Sequence, residues 1–151
     1  HILHKPGKLS EQERRVMETH SVIGANILKQ PPNPVMDMAR LVALGHHEKW
    51  DGSGYPLQCR AADNPLCARI VALADVFDAL SSRRCYKPAF PEDRVISILQ
   101  EERGKHFDPE LVDLLLEDIT PFRVIRDQYE DSDDSFAKFQ DYTSISLETS
   151  E

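Results

Sequence analysis

Long apolar runs are missing from this 151-residue sequence. None approaches the roughly 20 residues of a membrane-spanning helix, so no membrane contact is expected of this domain. The opening HILHKPGKLS lacks the pattern of a signal peptide and starts on His1 rather than Met, so a fragment or a processed chain is expected. Cysteines are few and odd in number (Cys59, Cys67 and Cys85), with no C-x-x-C spacing. That usage points to reduced thiols in the cytoplasm rather than to a disulfide framework. There is no useful stretch of strand-type alternation and no internal repeat. Walker loop, Rossmann fingerprint and G-x-S-x-G turn are all absent. A basic surplus is lacking too, since the net charge is −8. Residues 126–151 hold eight acids against Arg126 and Lys138, so the body is nearly neutral and the tail acidic. This balance argues against nucleic acid as a partner.

What is present reads as one all-α domain with a normal share of apolar residues, 40% of the chain. Ser10-Glu11-Gln12-Glu13 fits a capping box and predicts a helix to about Thr19. A brief break at His20-Ser21 is expected before a second helix over 22–29, with Ile23, Ile27 and Leu28 on one face. Pro31, Pro32 and Pro34 end that helix. A third is predicted over 35–47, with Met38, Leu41, Val42 and Gly45 on a common face. Residues 49–65 read as loop. The most apolar helix is predicted over 66–82, with a stripe of Ile70, Leu73, Phe77 and Leu80. Another runs over 92–103 and ends at Gly104. Asp108 as N-cap and Pro109 at the first helical position open a last helix to about Glu117. No assignment follows from Pro121 onward, and the last twenty or so residues read as tail.

The residues suited to chemistry are histidines and acids. His1, His4 and His106 lie in polar or turn-like contexts, where the surface is the default. His46 and His47 are adjacent, and successive helical residues point about 100° apart, so they are expected to face two metals or a metal and a substrate. Asp75 and Asp78 interrupt the apolar helix three residues apart. A buried unpaired acid there would cost several kcal/mol, on the order of what a metal would repay. The alternative is that they meet solvent or pair with Arg69 or Arg83. With His20, His46 and His47 they form a His/Asp set suited to divalent transition metals rather than calcium. The run Arg83-Arg84-Cys85-Tyr86-Lys87-Pro88 suits phosphate, although cations also favour a helix C-terminus in general.

The stretch His46-His47-Glu48-x-x-Asp51-Gly52-x-Gly54-Tyr55-Pro56 resembles the HHExxDGxGYP signature of HD-GYP phosphodiesterases, within the HD metallohydrolase superfamily. The similarity extends in order through Lys5–Leu9, Thr19-His20, Ala68–Val71, Ala74–Leu80, Tyr86–Ala89 and His106–Val112, covering about residues 1–117. The resemblance implies an all-α helical bundle of the HD-domain type over 1–122, followed by an acidic tail over 123–151. It implies hydrolysis of cyclic diguanylate to the linear dinucleotide and GMP, in cytoplasmic bacterial signalling. Two or three divalent ions, iron or manganese, are implied as cofactors. His20, His46, His47 and Asp75 fall on metal-ligand positions, and Tyr55, Arg84 and Lys87 on substrate-binding positions. Asp78 is expected to orient a ligand from behind the metals. A receiver or sensor domain upstream and signalling proteins are the implied partners. The family's His-Asp pair does not occur in these residues and is expected upstream, so this chain alone is expected to be inactive. Cys85 also departs from the family, which commonly has proline there. The alternative is an inactive HD-GYP-like binding module.

Overall fold

A computed structural model of the chain describes residues 2, 5, 7–29, 33–82 and 89–129. Among the described residues there are six α-helices and no strand, as an all-α domain requires. Helix α1 (Glu11–Ile27) opens on the expected capping box: Ser10 Oγ accepts from Glu13 N, and the Glu13 side chain accepts from Ser10 N. Lys5 reaches the same carboxylate at 2.6 Å. The expected break at His20-Ser21 does not occur. Ser21 is buried and its hydroxyl donates to the Glu18 carbonyl, so the polar side chain is satisfied by the preceding turn without opening the helix.

Helix α2 (Pro34–Gly45) starts from Asn33, whose side chain accepts from Val35 N and Met36 N. It ends two residues earlier than expected, with His46 as C-cap. A 3-10 turn (Ala61–Asp63) then precedes α3 (Leu66–Ser81). Helix α4 (Glu92–Glu101) stops at Glu102, and Gly104 follows with φ +74°. Helix α5 (Pro109–Glu117) begins as expected, with Asp108 accepting from Glu110 N.

The chain divides into two units, residues 1–118 and 119–151. In the first, α1 packs on α2, α2 on α3, and α3 on both α4 and α5. The core gathers on α3 to α5: Ala68, Ala72, Leu73, Phe77, Val95, Leu99, Phe107, Val112 and Leu115 are buried. Leu73 and Phe77 confirm two members of the apolar stripe, whereas Ile70 is exposed. Ile23, Ile27 and Met38 are likewise exposed, whereas Gly45 of the α2 face is buried and Leu28, Leu41 and Val42 are half-buried. In the second unit α6 (Thr120–Gln128) forms where the sequence offered no assignment, with Pro121 accommodated in its first turn.

Candidate metal centre

The middle of one helix, the end of another and the turn that follows build the site. His20 stands on α1, and its Nδ1 donates to the Met17 carbonyl at 2.7 Å. His46 caps α2, and its Nδ1 lies 3.0 Å from the Val42 and Ala43 carbonyls. Carbonyls only accept, so each Nδ1 must carry a hydrogen, which leaves each Nε2 as the atom available to a metal. Those two Nε2 atoms face one another at 3.4 Å. With both rings neutral, two lone pairs at that separation would repel, and a proton or a shared metal cation between them would remove the repulsion. A carbonyl behind a ligating imidazole is also the usual device for fixing its tautomer.

His47 completes the group: one ligand atom from each of His20, His46 and His47 lies within 4.8 Å of the others. The expectation that adjacent histidines must diverge assumed that both are helical. Helix α2 ends at Gly45, so the chain turns at His46-His47 and the two rings approach to 4.0 Å between centroids. Burial, followed by the fields of His46 and His20, lowers the His47 pKa from 6.5 to about 4. Its ring is therefore neutral at pH 7, the form that a metal requires. The donor set, three imidazoles, fits a divalent transition metal.

The turn after the histidines is held by groups whose roles the motif alone did not reveal. Glu48 is buried and accepts three backbone N–H groups, from Leu57 (2.6 Å), Gln58 (3.1 Å) and Cys59 (3.0 Å). The signal was there in the sequence: an acid fixed between paired histidines and a glycine turn. Asp51 accepts from Ser53 N at 2.8 Å, and Gly52 has φ +81°. Gly54 has no room for a side chain, since a Cβ there would sit 2.5 Å from Glu48 Cα and 2.6 Å from the His47 carbonyl. The close pass lets Tyr55 N donate to the His47 carbonyl at 3.2 Å. The Tyr55 ring then lies 4.9 Å from that of His47, and burial raises the pKa of its hydroxyl.

The acids are placed differently from the histidines. Asp75 is exposed on α3 and near enough for its charge to act on His47 and Tyr55, but it is not a member of the three-histidine group. Asp78 accepts from Ser82 Oγ at 2.9 Å. Arg69 pairs with buried Asp108 instead of either acid, donates to the Asn64 carbonyl and lies over the Trp50 ring. His106, expected at the surface, is partly buried and stacks on Phe107. An open apolar groove along α2, lined by Val35, Met38, Val42 and Val71 among others, runs up to His46. Arg84, Lys87 and Cys85 lie outside the described residues, as do His1 and His4. Among the described residues no helix is long and apolar enough to cross a membrane.

Comparison with known proteins bears on the same stretch of chain. The HD domain family matches residues 1–111. The chain is 46% identical over 125 residues to a 3'3'-cGAMP-specific phosphodiesterase of Vibrio cholerae, covering 83% of this chain and 24% of that protein. It is 50% identical over 115 residues to a cyclic di-GMP phosphodiesterase response regulator of Xanthomonas campestris, covering 76% and 30%. A cyclic di-GMP phosphodiesterase of Thermotoga maritima is 41% identical over 115 residues, with 76% and 31% covered. The chain thus spans between about a quarter and a third of the length of these relatives.

Proposed function

The chain belongs to the HD domain family, and on that premise we propose that it serves as the metal-binding catalytic domain of a longer cyclic dinucleotide phosphodiesterase. The substrate is cyclic di-GMP, opened to the linear dinucleotide and carried on to GMP in the cytoplasm of a bacterium. The observation that carries this reading is the convergence of His20, His46 and His47, with two Nε2 atoms held 3.4 Å apart by carbonyls behind the rings. The residues bind two or three divalent ions, iron or manganese, with Asp75 as the fourth protein ligand and Asp78 steadying the set. Such ions, when bound, polarise phosphoryl oxygens and lower the pKa of water.

The chain's own groups do the rest. Tyr55, fixed beside His47, offers a ring face and a hydroxyl to the dinucleotide. Arg84 and Lys87 hold its phosphates or bases. The response-regulator name of the Xanthomonas relative supports a receiver or sensor domain upstream, and signalling proteins as further partners.

Hydrolysis of cyclic di-GMP by the metal-loaded full-length protein tests the proposal. The expected result is turnover that disappears in His46→Ala along with the bound metal. A second reading, 3'3'-cGAMP as substrate, is favoured by the name of the 46% identical relative, so both nucleotides are assayed in parallel. Metal and nucleotide bound with no turnover of either would refute the enzyme and leave a non-catalytic binding module.

A further inference from the structure

Asn64 stands in the short connector between the 3-10 turn and α3, outside the histidine signature. It is 3% exposed. Its Nδ2 donates to the Gly45 carbonyl at 3.1 Å, while its Oδ1 is buried with no hydrogen-bond partner among the described residues. An unpaired buried acceptor is destabilising, so a residue chosen for packing alone would be apolar here. The bond that the Asn64 side chain makes goes to the residue immediately before His46.

That carbonyl is a junction. It also accepts from Glu48 N at 3.0 Å, closing the turn that contains His46 and His47. The Gly45 amide plane is therefore set from two sides, by the turn within the chain and by Asn64 across it. Space at Gly45 tells the same story. A Cβ there would lie 2.5 Å from Asn64 Oδ1 and 2.9 Å from the Ala68 Cβ on α3. The end of α2 thus rests directly against Asn64 and α3, and the dihistidine turn leaves from that contact.

We propose that Asn64 is a positioning residue, whose side-chain amide fixes the Gly45 carbonyl and thereby sets where α2 stops and how His46 and His47 enter the cluster with His20. This inference rests on the reading of the three histidines as metal ligands. Without the amide, the carbonyl can rotate by the small angle that lets the two rings diverge. A histidine displaced by even half an ångström from its partners weakens the site, and supports of this kind are commonly worth 10–100-fold in metal affinity.

The experiment is a titration of the full chain with cobalt(II), read by visible absorption and by thermal unfolding of the metal-free protein. Asn64→Leu keeps the branched shape and removes both polar atoms; Asn64→Asp keeps the size and puts a carboxylate against the Gly45 carbonyl. The control is Val95→Ala, a core change on α4. The expected result is a loss of roughly 10-fold or more in cobalt affinity with an altered spectrum for both Asn64 variants. Metal-free Asn64→Leu should unfold no earlier than the parent, whereas Val95→Ala should unfold earlier and keep the parent spectrum and affinity. If Asn64→Leu does not fold, Asn64→Asp and Asn64→Ser decide the matter by the same readouts. Parent-like affinity and spectrum in the folded Asn64 variants would overturn the positioning role. Failure of the parent chain itself to bind cobalt would instead overturn the metal centre.

Discussion

Replacing Glu48 removes the acceptor of three backbone N–H groups in one step, and the cost can be worked from the geometry. Leu57, Gln58 and Cys59 donate to it at 2.6–3.1 Å, and the side chain is 2% exposed. A hydrogen bond to a charged group contributes about 1.5–3 kcal/mol, and an orphaned buried donor costs about 1–3 kcal/mol. Leu57 and Gln58 are exposed residues, so water reaches their freed amides and the low end of the range applies. Three bonds at about 1 kcal/mol each give roughly 3 kcal/mol for Glu48→Ala. Glu48→Gln retains one oxygen, enough for Leu57 and Gln58, but turns an N–H toward that of Cys59. It should lose about 1–2 kcal/mol. Urea unfolding of the metal-free chain, followed by circular dichroism, measures both. In the proposed function, both variants should also bind cyclic dinucleotide more weakly, because the segment after Tyr55 is no longer tied down beside the histidines. Less than about 1 kcal/mol for Glu48→Ala, or equal losses for Ala and Gln, would refute the clamp.

Two other expectations are independent of it. The folded-state pKa of His47, about 4, lies below the ordinary 6.5, so between those values the unfolded chain binds the extra proton. The stability contributed by neutral His47 is therefore complete above about pH 6.5 and lost as pH falls toward 4. Urea midpoints of metal-free protein should drop more steeply across that window than those of His47→Gln; parallel slopes would contradict it. Gly54→Ala forces a Cβ to within 2.6 Å of the His47 carbonyl, and since backbone rather than a flexible side chain is in the way, it should cost at least about 2–3 kcal/mol in the same assay. An unchanged midpoint would count against the close pass.

Arg69 illustrates why some of the site could not be read in advance. From the sequence it was a possible partner for an acid on its own helix. In the fold it serves Asp108, 39 residues away, and leaves Asp75 exposed beside the histidines. His20 and Ser21 make the opposite point. A polar pair suggested a break, yet a hydroxyl and an imidazole each found a carbonyl one turn back, and α1 continued through them.

The sequence by itself determined the starts of α1 and α5, because caps act within three residues: Ser10 with Glu13, and Asp108 with Pro109, need no distant partner. It also determined the family, through the run from His46 to Pro56 and the segments around it. Tertiary structure decided which apolar faces are buried, burying Leu73 and Phe77 and leaving Ile23 and Met38 exposed. It decided that Glu48 ties down a loop, and that His20 meets His46 across 26 residues of chain. Hydrogen bonds within a turn follow from spacing alone. Burial and long-range partners depend on where each helix comes to rest, and α2 comes to rest where Gly45 meets Asn64 and Ala68.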